Sequence, residues 1–121
     1  MHSHDSYLQY SHGGFHQKGI ATRPMGAEQY EVWRSTITPG SQTPLYIHES
    51  EKIIVLLKGQ MRAFMGSREF ECKAPATLIC PAFTPHQFTN RGDESCDLIL
   101  VFGIDSTIYD ENGMGTWFPW R

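Results

Sequence analysis

The residues best suited to acid–base chemistry lie in two short blocks of the chain. The first block contains Tyr46, His48 and Lys52, and the second contains His86. An imidazole titrates near neutral pH, so each histidine can accept or donate a proton under physiological conditions. Side chains two positions apart on a strand share a face, which places Tyr46 beside His48. Lys52 has the same parity, whereas Glu51, the nearest spare carboxylate, has the opposite parity.

The elements that must position these residues are predicted to be short β-strands. Runs rich in β-branched and aromatic residues are separated by turn residues such as Pro39-Gly40 and Gly66-Ser67. No segment shows a sustained helical period, so we expect an all-β sandwich or barrel with little helix. The predicted strands cover residues 30–37, 45–48, 52–57, 60–65, 68–72, 77–80, 86–89 and 97–102.

The two ends of the chain are predicted to differ from the middle. Residues 1–28 lack a clear period and are predicted to form an N-terminal arm that could end in a short strand, and residues 29–121 a single barrel domain. The last residues, 113–121, carry three large aromatic side chains. Because such side chains are rarely left in water, this tail is expected to pack over the barrel or on a second subunit, and we expect a homodimer.

The first block resembles the first motif of the cupin family. That motif reads glycine, five residues, His-x-His, three or four residues, glutamate, six residues, glycine. Here Gly40, Tyr46, His48, Lys52 and Gly59 stand at its fixed positions with the spacing intact.

The second block resembles the second cupin motif, which includes a proline, a glycine, a histidine and an asparagine. Pro81, His86 and Asn90 match it, whereas Pro75 and Phe83 stand where the motif has glycine. The resemblance covers roughly residues 30–103 and implies a double-stranded β-helix barrel. It also implies that His48 and His86 face each other in the barrel mouth.

The resemblance implies a metal site that this sequence only half retains. Many cupins bind one divalent metal through the two histidines and glutamate of the first motif and the histidine of the second. The equivalent positions here are Tyr46, His48, Lys52 and His86. A cationic lysine repels a divalent ion, and a metal site usually needs three or four good donors. We therefore expect no metal; the alternative is a single Fe, Mn, Ni or Zn ion held by both histidines with Tyr46 or Glu51.

The metal-free interpretation assigns the same four residues to catalysis. His48 or His86 could act as a base, Lys52 could stabilise an enolate or oxyanion, and Tyr46 could donate a proton. A desolvated, neutral Lys52 could instead form a Schiff base with a carbonyl compound. The predicted activity is isomerisation, dehydration or cyclisation of a small natural-product or sugar intermediate. The alternatives are a metal-dependent dioxygenase or lyase and a non-enzymatic ligand-binding protein.

Further candidates could contact a substrate. Arg34 and Arg62 could hold a carboxylate or phosphate if they point inward. Phe88 could belong to an apolar wall, together with other aromatic core candidates, and Cys80 could line the cavity or act as a small buried hydrophobe. The aromatic core candidates besides Phe88 are Trp33, Phe64, Phe83 and Phe102.

Composition limits the classes of partner. The formal net charge is −3 and the pI is about 6.0, so we expect no nucleic-acid partner and no attraction to an acidic membrane surface. The three cysteines form no CxxC pair, which favours a reducing, cytoplasmic setting. The polar start, residues 1–6, does not resemble a signal peptide, and no apolar run is long enough to span a membrane. The expected partner is a small molecule.

Overall fold

The computed structural model describes residues 1–5 and 8–116. Within this part of the chain there are twelve β-strands and one short 3-10 helix, so the predicted all-β class is confirmed. The helix covers Arg23–Met25. The strands are β1 (Gln9–His12), β2 (Phe15–Ala21), β3 (Tyr30–Ile37), β4 (Ile47–His48), β5 (Lys52–Lys58), β6 (Gln60–Met65), β7 (Arg68–Lys73), β8 (Ala76–Cys80), β9 (His86–Thr89), β10 (Cys96–Gly103), β11 (Ile108–Tyr109) and β12 (Gly115–Thr116).

The largest sheet has six antiparallel strands in the order β1-β2-β3-β10-β5-β8. Along β3, β5 and β10, buried residues alternate with more exposed ones. This alternation follows from the two-residue period of a strand, which sends every second side chain into the barrel. Trp33, Ile54, Leu56 and Leu98 are each at most 1% exposed and form part of the core.

Two smaller sheets complete the barrel, one with the order β7-β6-β9 and the other with the order β12-β11-β4. An antiparallel bridge between Tyr46 and His86 joins them, because Tyr46 directly precedes β4 and His86 begins β9. Two backbone hydrogen bonds, of 3.0 and 3.1 Å, link the same residues. The two motif blocks are therefore neighbours in the folded chain.

The N-terminal segment contains two strands, more than the one short strand that the sequence suggested at its end. Residues 9–21 form two strands, and β2 continues the large sheet by pairing with β3. The sequence did not reveal these strands because Gly, His, Gln and Lys interrupt the apolar alternation of β2. Gly19 is required there, since a side-chain Cβ at this position would lie 2.8 Å from Thr22 Cγ2.

Two turn residues at cupin-motif positions have left-handed backbone conformations. Gly59 has φ +94° and lies so close to Cys96 that a Cβ would approach within 3.0 Å of its Cα. Phe83, at a position where the cupin motif has glycine, has φ +59° and is 62% exposed. The left-handed conformation explains the preference of that position for glycine. Phe83 is thus not a core residue, contrary to the prediction.

Asn90 has the turn-shaping role predicted from its residue type. It is fully buried, and its amide donates to the carbonyl oxygens of Ile37 and Glu94, both at 2.8 Å. Its side-chain oxygen accepts a hydrogen bond of 2.9 Å from the Gly92 N–H.

The predicted aromatic tail contact lies partly outside the described residues. Gly115–Thr116 forms β12, and residues 117–121 follow it. Among the described residues, no helix combines the length and the apolar character that crossing a membrane would require.

Candidate active site

One row of inward-facing side chains crosses the large sheet at the open end of the barrel. In register, Glu31 pairs with Phe102, Phe102 with Lys52, and Lys52 with Cys80. All four residues are at most 5% exposed. Strand pairing thus brings a carboxyl group, a phenyl ring, an amine and a thiol into one buried row, although they are far apart in sequence.

Both motif histidines face this row from the smaller sheets. His48 and His86 are 3% and 1% exposed, and their ring centroids are 5.4 Å apart. His48 also packs edge-on against Phe102, with centroids 4.7 Å apart. The structure therefore brings His48, His86 and Lys52 together inside the barrel, at the positions that strand parity and the cupin resemblance predict.

The closest polar contact in the site joins Lys52 to His86. The Lys52 Nζ lies 3.1 Å from the His86 Nε2, within hydrogen-bond distance. Burial lowers the pKa of Lys52 from 10.5 to about 8, and the nearby Cys80 opposes this only in part. At neutral pH the amine is therefore mostly an ammonium ion that donates to the imidazole.

His86 is a neutral imidazole, and its hydrogen bonds fix both its tautomer and the orientation of its ring. Burial, together with the charge of Lys52, lowers the pKa of His86 to about 3. Because its Nε2 accepts from Lys52, the proton lies on Nδ1, which donates to the Thr84 carbonyl oxygen at 3.0 Å. Cys80 Sγ lies 3.5 Å from the same Nδ1, and burial raises the pKa of the Cys80 thiol. His86 is thus a poor base that positions Lys52.

A small cavity opens beside this pair. Tyr46, His48 and Lys52 line it, together with Phe15, Gln17, Trp33, Leu100, Phe102 and Ile108. Its volume of about 20 Å³ is room for about one water molecule. Tyr46 is half-buried, and burial raises the pKa of its phenol, so Tyr46 remains protonated at neutral pH. His86 lies behind Lys52 and does not line the cavity, so His48 is the imidazole that can meet a ligand.

These donors do not fit a metal cage. Across residues 1–5 and 8–116, no three His, Cys, Asp or Glu side chains are grouped so that they could hold an ion. The side chain at the position of the motif glutamate is an amine, and it occupies the His86 Nε2 lone pair that a metal would need. Glu51, the alternative ligand, is exposed on the outside of the barrel.

The two candidate arginines are not brought to the site, because each pairs with carboxylates outside the barrel. Arg34 Nη2 lies 2.9 Å from Asp97 Oδ2, and Arg62 bonds Glu69 and Glu71, both at 2.9 Å. A larger surface depression of about 300 Å³ borders Arg34, but it contains none of the buried groups described above.

Phe88 and Cys80 are buried as expected, but neither lines the cavity. Phe88 packs behind His86, with ring centroids 5.8 Å apart. Cys80 lies at the end of the buried row, next to His86. Both therefore support the site from behind, and a direct contact of either residue with a ligand stays a prediction.

Glu31 is a buried polar residue that sequence reasoning missed. It is fully buried and accepts a hydrogen bond from the Trp33 indole N–H at 3.0 Å. Strand parity could have found it, because Glu31 lies two positions from Trp33, which was expected in the core.

Comparisons with known proteins identify the family and the fold. Residues 33–102 match the family described as "Cupin domain". Auxin-binding protein 1 from Arabidopsis thaliana is 29% identical across 71% of this chain and 50% of its own length. Auxin-binding protein T85 from Nicotiana tabacum is 33% identical across 63% of this chain and 46% of its own length. The chain spans about half the length of these curated relatives.

A solved structure shows the same fold at lower identity. The polyketide cyclase RemF from Streptomyces resistomycificus superimposes with a TM-score of 0.74 at 19% identity, covering 89% of this chain and 75% of the cyclase. The fold, the motif spacing and the family match together define the class: this chain belongs to the cupin family.

Proposed function

We propose that the barrel interior is the active site of a small-molecule enzyme that performs metal-independent acid–base chemistry, of the isomerase, dehydratase or cyclase type. The observation that carries the proposal is the buried Lys52–His86 pair, which puts an ammonium where the family motif has a metal-ligating glutamate. Tyr46 and His48 line the same cavity and supply a proton donor and a base.

The proposed reaction is proton transfer next to a carbonyl group. His48 removes a proton from the carbon beside the carbonyl, and the electron pair of that C–H bond forms a carbon–carbon double bond. The carbonyl π electrons move to oxygen, where the Lys52 ammonium stabilises the negative charge. Returning the proton from His48 to another carbon gives an isomer, and Tyr46 can protonate an oxygen that leaves. His86 fixes the Lys52 amine in place throughout.

Deuterium exchange tests this chemistry without knowledge of the natural substrate. The protein is incubated in D₂O with a panel of small enolisable aldehydes and ketones, and incorporation is followed by NMR. We expect exchange that survives treatment with a chelator. His48→Ala and Lys52→Met should each slow it about 100-fold, the usual scale for losing a general base or an oxyanion donor.

A control variant and a contrary outcome complete the design. His16→Ala removes an exposed imidazole of the outer surface and should leave the exchange rate unchanged. Exchange that stops on chelation and returns with a divalent metal would overturn the proposal, as would exchange equal in all variants.

A second candidate function is ligand binding without turnover, which the auxin-binding relatives favour. Calorimetric titration with auxin distinguishes the two functions. Saturable binding that His48→Ala weakens, with no chemical change of the bound compound and no exchange on the panel, would favour the binding function.

A further inference from the structure

Among the described residues, the buried amine of Lys52 has no anionic partner. Its Nζ hydrogen-bonds the neutral His86 and lies 5.9 Å from the Phe102 ring centroid, and the residue is 5% exposed. Within the described part of the chain, no carboxylate lies at ion-pair distance from this Nζ. Glu31 is in the same buried row but two strands away, about 10 Å at ordinary strand spacing. Buried lysines are usually paired, so this one is exceptional.

The surroundings increase the fraction of neutral amine, which is the nucleophilic form, although the ammonium stays the main form at neutral pH. Five of the side chains that line the cavity are apolar or aromatic: Phe15, Trp33, Leu100, Phe102 and Ile108. The titratable groups around the Nζ are His48, His86, Cys80 and Tyr46, and none of them supplies a negative charge at neutral pH. With its pKa lowered to about 8, Lys52 has a neutral fraction at pH 7 about 300-fold above that of an exposed lysine.

We propose that Lys52 forms an imine with an aldehyde that enters this cavity. The nitrogen lone pair attacks the carbonyl carbon and forms a C–N bond, while the π electrons move to oxygen. One N–H proton passes from the nitrogen to this oxygen, and the second leaves with the oxygen when water is lost. The resulting carbinolamine loses water, and the nitrogen lone pair forms the C=N bond. No oxidant or reductant is needed. The inference rests on the proposed function only for the location of the substrate.

The cavity restricts the carbonyl class to aldehydes. A volume of about 20 Å³ admits one small group beside the Nζ, with the rest of the ligand directed outward past Tyr46 and Gln17. An aldehyde presents a carbonyl with only hydrogen on one side, whereas a ketone would place a second carbon in the same space. The Lys52–His86 hydrogen bond fixes the position of the amine, and Lys52 itself lines the cavity.

Reductive trapping tests the proposal on the intact protein. The wild-type chain is treated at pH 7 with acetaldehyde and sodium cyanoborohydride, which converts an imine into an ethylated amine. Peptide mapping at short times then compares Lys52 with Lys58 and Lys73, both exposed. We expect Lys52 to be labelled at least about tenfold faster than either, and acetone to label it far more slowly. The same reaction in urea should remove the preference.

Two variants and two outcomes make the test decisive. Lys52→Arg should abolish the fast adduct, whereas the matched Lys58→Arg should leave it unchanged. Labelling of the exposed amines with Lys52 no faster would overturn the inference, even if deuterium exchange is observed and the proposed function holds. Fast labelling of Lys52 without any exchange would support the imine and refute the acid–base function.

Discussion

At the scale of the residue, the buried ammonium of Lys52 lowers the free energy of unfolding. Its pKa is lowered to about 8 in the folded protein, so below pH 8 the fold must hold an ammonium that water would solvate better. Between pH 8 and 10.5 the folded chain releases this proton while the unfolded chain keeps it. The free energy of unfolding therefore rises with pH across this window, by up to about 3 kcal/mol.

Lys52→Met should therefore stabilise the protein at pH 7, by up to about 3 kcal/mol, because methionine fills the space without a charge. The gain should shrink as the pH approaches 10, where the wild-type amine is neutral. Urea unfolding of both proteins at pH 7 and pH 10 measures it, with the exposed Lys58→Met as the control. A gain that is equal at both pH values would contradict a buried ammonium at Lys52.

At the scale of the element, the turn between β8 and β9 contains a residue in an unfavourable conformation. Phe83 has φ +59°, and its N–H donates to the His48 carbonyl oxygen at 2.8 Å, so the turn is tied to the site. A left-handed conformation costs a residue other than glycine about 1–2 kcal/mol.

Phe83→Gly should stabilise the protein by about 1 kcal/mol. The relieved backbone energy exceeds the extra entropy of the unfolded glycine, and the phenyl ring is 62% exposed, so little packing is lost. Urea unfolding is the measurement, and Phe83→Ala, which keeps the backbone strain, is the matched control. A glycine variant less stable than the alanine variant would refute the argument.

The buried side-chain amide of Asn90 connects the end of β3 to the loop between β9 and β10. Its hydrogen bonds reach the end of β3, the loop that follows β9 and the segment just before β10. Asn90→Ala removes the hydrogen bond to the buried Ile37 carbonyl oxygen and two part-buried hydrogen bonds, and should destabilise the fold by about 3 kcal/mol.

Asn90→Asp should destabilise the fold at least as much as Asn90→Ala, because its second carboxylate oxygen would face the Ile37 and Glu94 carbonyl oxygens in a buried position. Thermal and urea unfolding check this order, with Asn112→Ala, an exposed position, as the control. Equal stability of Asn90→Ala and the wild type would show that the amide is not needed.

At the scale of the whole molecule, strand period and motif spacing predicted most of the barrel. The parity of β5 places Lys52 inside, and the parity of β4 places His48 inside, as the structure shows. The hydrogen bond between Lys52 and His86 could not be predicted, because it depends on the long-range pairing of β5 with β8 and of Tyr46 with His86. The strands β1 and β2 were missed for a related reason: their pairing with β3 stabilises residues of weak strand propensity.

The barrel thus has the cupin fold, but its interior differs from the family's metal-binding motif. Two of the four positions at which the family motif has metal ligands carry a phenol and an amine, and the amine uses the imidazole nitrogen that an ion would require. We propose that the Lys52 ammonium takes the place of the metal ion in this barrel.

The metal content of the purified protein tests this proposal. The wild type and the Tyr46→His/Lys52→Glu double variant are incubated with Fe, Mn, Ni and Zn salts, dialysed together and measured by mass spectrometry of the elements. We expect far less than one ion per wild-type chain and about one per chain of the double variant, in which the full motif is restored. One ion per wild-type chain, lost in a His48→Ala/His86→Ala variant, would contradict it.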